Sequence, residues 1–163
     1  MPSLSLSDLV DFLLEAKAAT YAAGGGGSAA VVDPLLQNSH QLEFHSGSLL
    51  YRDIYFGEAF FAGQETVYSD RSAIWSMCYA GGWTGRLSDP ELRGGLGAFL
   101  QSALREAPPG IPFRGPYRFE SVDGKNLYIN TPSGSVERFA GVEQIFREDI
   151  LVYELNYCGG LLK

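Results

Sequence analysis

The stretch FAGQE at residues 61–65 returns as FAGVE at residues 139–143, and this repeat decides how the whole chain is organised. The register holds without a gap to YAGG at residues 79–82, which returns as YCGG at residues 157–160. Seven of the positions aligned by this offset of 78 residues are identical. Self-similarity at a fixed offset indicates that one supersecondary unit is used twice. The repeat therefore predicts a fold built from two related halves.

Length and composition predict a single globular domain spanning residues 1–163. Hydrophobic residues make up 45% of the chain and charged residues 19%, which is typical of a sequence with an apolar core. The net charge of −7 disfavours nucleic acid as a partner, because an acidic surface and a phosphate backbone repel each other. The longest apolar runs are too short to cross a bilayer. We therefore expect neither a nucleic-acid partner nor a membrane partner.

The N-terminus and the cysteines favour a cytoplasmic location. Residues 1–10 contain no basic segment followed by an apolar stretch, so they do not resemble a secretory signal. The only cysteines are Cys78 and Cys158, too few for the disulfide framework that is typical of small secreted domains. We expect both to be reduced thiols in or near a sheet.

Each half is predicted to begin with an amphipathic helix. In the first half, Ser7 is a suitable N-cap, and the apolar residues that follow recur at helical spacing as far as about Thr20. In the second half, Asp89 precedes Pro90, a residue type favoured in the first helical turn. Pro108 then marks the end of this helix. The two predicted helices occupy comparable positions in the two halves.

The remainder of each half is predicted to be β-structure. Alternating apolar and polar residues, together with the turn signal Asp123-Gly124, favour about four antiparallel strands per half. We expect α+β architecture: an internal duplication of an α-β-β-β-β unit with pseudo-twofold symmetry, in which two helices pack on one face of an antiparallel sheet. The repeats cover about residues 5–87 and about residues 88–160. The strands are expected at residues 41–45, 49–56, 60–69 and 73–80, and at residues 117–122, 126–130, 136–147 and 150–158.

Alternation within the strands separates a bulky face from a more polar one. Trp75, Met77 and Tyr79 share a strand face, and their counterparts in the second half are also large. We expect this face to form the core under the helices. The opposite face carries smaller and more polar residues such as Cys78, and it is where a ligand, a partner or solvent would lie.

A ligand site is predicted on the polar face. Tyr51, Asp53 and Tyr55 fall on one face of their strand, and Glu65 lies in the repeated motif. Together with Cys78 they are the expected lining residues, the tyrosines enclosing an apolar ligand body and the carboxylates binding a cationic or hydroxyl group. A flat apolar face would instead favour a protein partner or a homodimer.

A long connection precedes the first predicted strand. Residues 21–40 include the glycine run from Gly24 to Gly27, which specifies no turn. Long connections of this kind are often functional. We expect this one to act as a lid at the rim of the ligand site.

No common catalytic signature is present, which argues against an enzyme. The sequence lacks a nucleophile elbow, a P-loop and a glycine-rich dinucleotide motif after a strand. We therefore assign no catalytic residue and no cofactor. An alternative is a small enzyme using Glu65 and Glu143, since a facing carboxylate pair raises one pKa and can perform acid–base chemistry. Otherwise each carboxylate caps backbone groups at its own turn or lies in solvent.

A metal site was weighed at the first predicted strand. Glu43 and His45 project to one face, and His40 lies close in sequence. Zinc sites usually need a third or fourth protein ligand with outer-shell support, and the sequence does not place one. We predict polar loop and strand residues here and no metal.

Several short motifs follow one another along the chain: KxxTY at 17–21, SHxL at 39–42, YxDxYFG at 51–57, FxGxE at 61–65 and WxMxYxG at 75–81, and more weakly FxG at 139–141 and NY at 156–157. Their order resembles the DUF5680 family, a bacterial domain of uncharacterised function. The chain departs from the family pattern at Glu58, Gln64 and Cys78, where a second glycine, an acidic residue and asparagine are common.

This resemblance implies a sensory or regulatory module. Some members of the family follow a helix-turn-helix segment in transcriptional regulators. With no room for such a segment ahead of Ser7, we expect a free-standing version that binds a small molecule without reading DNA itself. The family supplies no catalytic residue that can be carried over.

Overall fold

The computed structural model of the protein describes residues 4–20, 30–85, 89–110 and 113–162. Within these ranges the chain runs through a helix, five strands, a second helix and four strands. The helices are α1 (Leu6–Ala19) and α2 (Pro90–Arg105). The strands are β1 (Ala30–Val31), β2 (His40–Ser46), β3 (Leu49–Gly57), β4 (Phe60–Ser69), β5 (Ser72–Trp83), β6 (Arg118–Glu120), β7 (Asn126–Ser135), β8 (Arg138–Arg147) and β9 (Ile150–Leu161).

All these strands join one antiparallel sheet. Their order is β1-β2-β3-β4-β5-β9-β8-β7-β6. Strands that follow one another in sequence are neighbours in the sheet, except at the centre, where β5 pairs with β9. The sheet therefore consists of two meanders joined along β5 and β9, one from each half of the chain. Two helices with an antiparallel sheet are what the predicted α+β class requires.

The two meanders match in their strand bounds. Strand β4 and β8 have ten residues each, β5 and β9 have twelve each, and the members of each pair are offset by 78 positions. The β-bulge between Val67 and Tyr68 recurs between Ile145 and Phe146. Both following hairpin turns contain two non-glycine residues with positive φ, as two-residue type I′ turns require. The strand bounds, bulges and turns therefore recur at the same offset as the sequence motif.

The bulky strand face is buried, as predicted. Its side chains form one hydrophobic cluster with apolar side chains of both helices, among them Leu13 and Phe99. The Trp75 ring stacks on Phe139 with 5.6 Å between centroids, and its indole N–H donates to the carbonyl oxygen of Val136 at 3.1 Å. The six predicted core residues, all less than a tenth exposed, are Trp75, Met77, Tyr79, Tyr153, Leu155 and Tyr157.

Helix α1 begins two residues earlier than predicted. Ser5, not Ser7, is the N-cap: its hydroxyl accepts the Asp8 N–H at 3.1 Å, and the Asp8 carboxylate accepts the Ser5 N–H at 3.2 Å. This capping box satisfies two backbone donors at once. Ser7 has Val10 three residues later and cannot form one, so the Ser7 prediction is wrong. Neither helix is both long and apolar enough to cross a bilayer in the described part of the chain.

The connection after α1 is not entirely irregular. Ala30 and Val31 form β1 and pair with Glu43 and Leu42 of β2. Two residues of the connection that was expected to act as a lid therefore belong to the sheet. The glycine run that was predicted to act as a lid lies outside the described residues.

Replacing Trp75 with alanine should lower the free energy of unfolding by about 3–5 kcal/mol, because a fully buried aromatic ring leaves a cavity when it is truncated. The matched control is Phe60→Ala, since the Phe60 side chain is 67% exposed and its removal should cost within about 0.5 kcal/mol. Urea unfolding of both variants measures the difference. Similar losses in the two variants would contradict the assignment of the core face.

Candidate functional site

Two carboxyl groups are neighbours inside the core face. Asp53 lies directly opposite Glu65 across β3 and β4, and Glu65 lies opposite Met77 across β4 and β5. Directly opposed residues of an antiparallel pair point to the same face of the sheet. Asp53 is 3% exposed and Glu65 is fully buried. The hydrophobic core therefore contains a pair of acids.

Two tyrosines fold over two glycines beside these acids. Tyr79 lies opposite Gly63, and Tyr157 lies opposite Gly141. A Cβ atom at Gly63 would lie 2.5 Å from the Tyr79 hydroxyl oxygen, and one at Gly141 would lie 2.3 Å from the Tyr157 hydroxyl oxygen. The glycine of the repeated motif is thus required to let each ring lie across the neighbouring strand. The motif explains a packing arrangement that occurs once in each half.

Lys17 of α1 is the cation that faces Glu65. Its ammonium nitrogen lies 2.5 Å from Glu65 Oε2 and donates to the carbonyl oxygen of Phe113 at 3.2 Å. Burial lowers the pKa of the Lys17 ammonium, although the charge of Glu65 opposes this shift. The second Glu65 oxygen, Oε1, is buried and has no hydrogen-bond partner among the described residues. An unsatisfied buried acceptor is costly. Over the described ranges, this carboxylate therefore has hydrogen-bonding capacity left to fill.

Asp53 has an acidity far from that of an exposed aspartate. Its Oδ1 accepts the Tyr79 hydroxyl at 2.7 Å. Burial, followed by the charge of Glu65, raises the pKa of Asp53 to about 7, against the opposing effects of Tyr79, Lys17 and Arg114. Asp53 therefore gains and loses a proton near neutral pH.

The second half satisfies its equivalent carboxylate completely. The Arg114 guanidinium donates to both oxygens of Glu143, at 2.9 and 3.0 Å. The hydroxyls of Tyr128 and Tyr153 also donate to Glu143, at 2.6 and 3.0 Å. Burial and the charge of Glu143 raise the pKa of both tyrosines well above the usual value. These hydroxyls therefore stay protonated and keep donating.

Asparagine replaces aspartate in the second half. Asn130 lies directly opposite Glu143, as Asp53 lies opposite Glu65. Its side-chain oxygen accepts the Tyr157 hydroxyl at 2.7 Å, and its amide donates to the carbonyl oxygen of Gly115 at 3.0 Å. The second half thus repeats the tyrosine contact of the first half with a neutral, fully satisfied side chain.

A cavity of about 380 Å³ opens beside Asp53, between the first meander and α2. The His40 and Tyr55 rings stack in its wall with 4.9 Å between centroids. Burial, and then the charge of Asp53, raises the pKa of Tyr55, so this phenol remains neutral. The described lining residues are His40, Asp53, Tyr55, Gly57, Glu58, Phe61, Tyr79, Gly97, Leu100, Gln101, Leu104 and Arg114.

The structure brings together only part of the predicted ligand site. Asp53 and Tyr55 line the cavity. Tyr51 and Glu65 share their face of the sheet, but both are fully buried and are not among the described lining residues. Cys78 is exposed and lies on the opposite face. The expectation that all five lie together on the polar face is wrong.

A single β-bulge accounts for this difference. A two-residue turn after Ser69 with regular pairing would bring Glu65 opposite Ser76, on the face of Cys78. The bulge between Val67 and Tyr68 shifts the pairing by one residue, so that Glu65 lies opposite Met77 instead. A shift of one residue moves a side chain to the other face of the sheet.

Glu65 and Glu143, the predicted carboxylate pair, are bound by different cations. Each accepts hydrogen bonds from its own cation, Lys17 for Glu65 and Arg114 for Glu143. The directly opposed acids in the structure are Glu65 and Asp53.

Of the three residues considered above as metal ligands, Glu43 is engaged by its neighbours, whereas His40 stacks on Tyr55. Glu43 accepts a hydrogen bond from Arg52 at 2.7 Å and one from Gln41 at 2.9 Å, and it lies 3.4 Å from His45. Over the described ranges, no group of three or more His, Cys, Asp or Glu side chains could hold a metal ion.

Sequence reasoning missed both buried cations. Lys17 follows Leu13 by four residues and therefore lies in the apolar stripe of α1, which is a usable signal, because a lysine there requires a buried partner. Arg114 lies in an irregular segment after α2, where no periodicity indicates its direction. His40, a candidate metal ligand in the sequence analysis, and Phe61, the first residue of the repeated motif, both line the cavity.

Comparison with known proteins identifies a family without a known activity. The family model described as a domain of unknown function (DUF5680) matches residues 53–162, about two thirds of the chain. The matched range begins at Asp53 and includes Glu65, Glu143 and both cysteines. No curated protein and no solved structure matches the chain.

Replacing Asp53 with asparagine should stabilise the fold at pH 8 more than at pH 4. The pKa of Asp53 is about 7 in the folded protein and about 3.9 in an unfolded chain. The wild type therefore loses stability as the pH rises between these values, whereas asparagine loses none. The advantage of Asp53→Asn should grow by an amount on the order of a few kcal/mol across this range, measured by urea unfolding.

The matched control is Asp123→Asn. Asp123 is exposed, and its hydrogen bond with Ser121 lowers its pKa instead. This variant should show no growing advantage as the pH rises. An Asp53→Asn variant whose stability follows the wild type in parallel from pH 4 to pH 8 would contradict the assignment of a perturbed Asp53.

Proposed function

Because the chain belongs to the DUF5680 family, a domain of unknown function, we propose its activity from its own geometry: it binds a small cationic molecule in the cavity beside Asp53. The observation that carries this proposal is a buried aspartate in the wall of a cavity of about 380 Å³. Ligand cavities are typically a few hundred Å³ in volume and mostly apolar, with few polar groups.

The charge of the buried cluster favours a cation. Among the described residues, Asp53, Glu65 and Glu143 share the buried interior with two cations, Lys17 and Arg114. When all three acids are ionised, the cluster carries one negative charge in excess. A buried excess charge is costly unless it is paired. Protonation of Asp53 neutralises this excess negative charge. A bound cation would neutralise it in place of the proton.

The second half serves as an internal comparison. There the segment after α2 fills the equivalent space: Phe113 stacks on Phe139 with 4.1 Å between centroids, and Gly115 accepts the Asn130 amide. In the first half the equivalent residues, Phe61 and Asp53, line the cavity. Among the described residues, only Tyr79 donates to Asp53. The open space therefore coincides with the half that carries the acid.

The walls suit an organic cation. Tyr55, Phe61 and Tyr79 offer aromatic surfaces, which attract ammonium groups through their ring electrons. Leu100 adds apolar surface from α2. Although Arg114 also reaches the cavity, its guanidinium is held by both oxygens of Glu143, so its charge is largely compensated.

The wider role that fits this site is sensory or regulatory, in the cytoplasm of a bacterium. Two cysteines without a disulfide suit a reducing compartment.

The evolutionary part of the proposal is that the two halves arose by duplication of one α-β-β-β-β unit, with both helices on one face of the sheet. The coincident bulges, turns and strand bounds support this origin.

A ligand screen tests the cavity. A library of small cations, neutral molecules and anions should contain a compound that raises the stability of the protein, by about 2.7 kcal/mol at a hundredfold excess over its dissociation constant. This gain should disappear in Gln101→Trp, which fills the cavity from α2, and persist in Ala98→Trp, on the exposed side of the same helix. If no compound of any charge class shows this pattern, the cavity is not a binding site.

A pair of matched probes tests the charge of the ligand. Phenethylamine and 2-phenylethanol differ mainly in their ammonium and hydroxyl groups. The amine should bind more tightly at pH 8 and lose affinity by about tenfold per pH unit below the Asp53 pKa of about 7, because protons compete for the carboxylate. The alcohol should show little pH dependence. Isothermal titration calorimetry measures the affinities of both probes for the wild type and for Asp53→Asn. The substitution should abolish the preference for the amine. An amine that binds no better than the alcohol at pH 8 would contradict a cationic ligand but leave the cavity as a site.

A further inference from the structure

The two cysteines of the chain lie directly opposite each other at the centre of the sheet. Cys78 of β5 pairs with Cys158 of β9, across the junction of the two halves. Both are exposed, on the face of the sheet away from the cavity. The chain has no other cysteine, and 79 residues separate these two in sequence. Their pairing therefore brings together the whole thiol content of the protein.

The register brings the two thiols within bonding range. Directly opposed residues in an antiparallel pair have Cα atoms about 4.5–5.5 Å apart, inside the range that disulfides span. Their Cβ atoms lie about 4.5–5.5 Å apart, at or beyond the upper end of disulfide geometry. A bond between them would form without rearranging the sheet and would be strained. Strained disulfides are the readily reduced ones.

The surroundings leave both sulfur atoms accessible. Gln64 lies opposite Cys78, and Ala140 lies opposite Cys158. The residues that flank Cys78 on this face, Ser76 and Ala80, are small, and both cysteines line each of two shallow depressions. Partial burial, and then the charge of Cys158, raises the pKa of Cys78. The resting pair is thus mostly in the thiol form at neutral pH.

We propose that Cys78 and Cys158 form a reversible dithiol–disulfide site that exchanges with low-molecular-weight disulfides. One thiol loses its proton, and the thiolate attacks a sulfur of the external disulfide, forming a mixed disulfide and releasing one small thiolate. The second cysteine, as its thiolate, then attacks the cysteine sulfur of the mixed disulfide, forming the Cys78–Cys158 bond and releasing the second small thiolate. Protonation of the two leaving groups balances the step: two cysteine thiols are oxidised, and one external disulfide is reduced to two thiols. The bond covalently joins the two halves of the sheet.

The test is incubation of the full chain with 2-hydroxyethyl disulfide, followed by intact-mass and peptide-mapping mass spectrometry. The wild type should lose two hydrogens as a monomer, and the mapped peptides should be linked through Cys78 and Cys158. Excess dithiothreitol should restore the dithiol. Cys78→Ser and Cys158→Ser should each stop at the mixed disulfide, which shows that the second cysteine resolves it.

The matched control moves one thiol along the same strand. In the double variant Cys158→Ala with Asn156→Cys, the two thiols stay on the exposed face but lie diagonally, because Asn156 pairs with Ala80. Diagonal residues are about 7–8 Å apart, so the internal bond should form at least about tenfold more slowly than in the wild type. Three results would overturn the proposal. These are mixed disulfides that persist at both wild-type cysteines, intermolecular dimers, and equal rates of internal bond formation in the wild type and the double variant.

Discussion

Two fully buried carboxylates, those of Glu65 and Glu143, constrain the arrangement of the rest of the molecule. An ionised carboxylate is tolerated inside a protein only when donors and a counter-charge reach it. Lys17 reaches Glu65 from α1, and Arg114 reaches Glu143 from the segment that follows α2. Each half of the sheet is therefore tied through its acid to a segment outside the sheet. Removing either cation would leave a buried carboxylate without its counter-charge, a loss that hydrophobic contacts nearby do not replace.

The two halves share a backbone arrangement but differ in the charge of the side chain that it holds. Both place a tyrosine over a glycine of the neighbouring strand, so that its hydroxyl reaches the strand beyond, at Asp53 in one half and at Asn130 in the other. Asn130 accepts a hydrogen bond from Tyr157 and donates one to Gly115, which suits a structural role. Around Asp53 an acid shares the core with Glu65, next to a cavity. The two halves therefore differ mainly in two features. One half has Asp53 where the other has Asn130, and the segment after α2 occupies the space beside Asn130 while a cavity lies beside Asp53.

Local patterns predicted the elements well and the relation between strands less well. The bounds of β4 follow from the turn residues and alternation on either side of it, and the buried face of β5 follows from Trp75, Met77 and Tyr79. Predicting the site requires the register between β4 and β5, because the register determines which side chains share a face. The bulge at Val67 shifts this register, and no distinctive residue type marks the bulge in the sequence. The β3–β4 pairing was more accessible, because Asp53 and Glu65 are equally distant from the centre of their hairpin turn. The cavity depends on how α2 lies against the sheet, which periodicity alone does not specify.

Strand β5 links the two sites. Cys78 and Tyr79 are consecutive residues, so their side chains point to opposite faces of the sheet. Tyr79 holds Asp53 through its hydroxyl on one face, and Cys78 meets Cys158 on the other. Tyr79 also lies opposite Tyr157, so the β5–β9 junction positions both hydroxyls relative to their acid and amide partners.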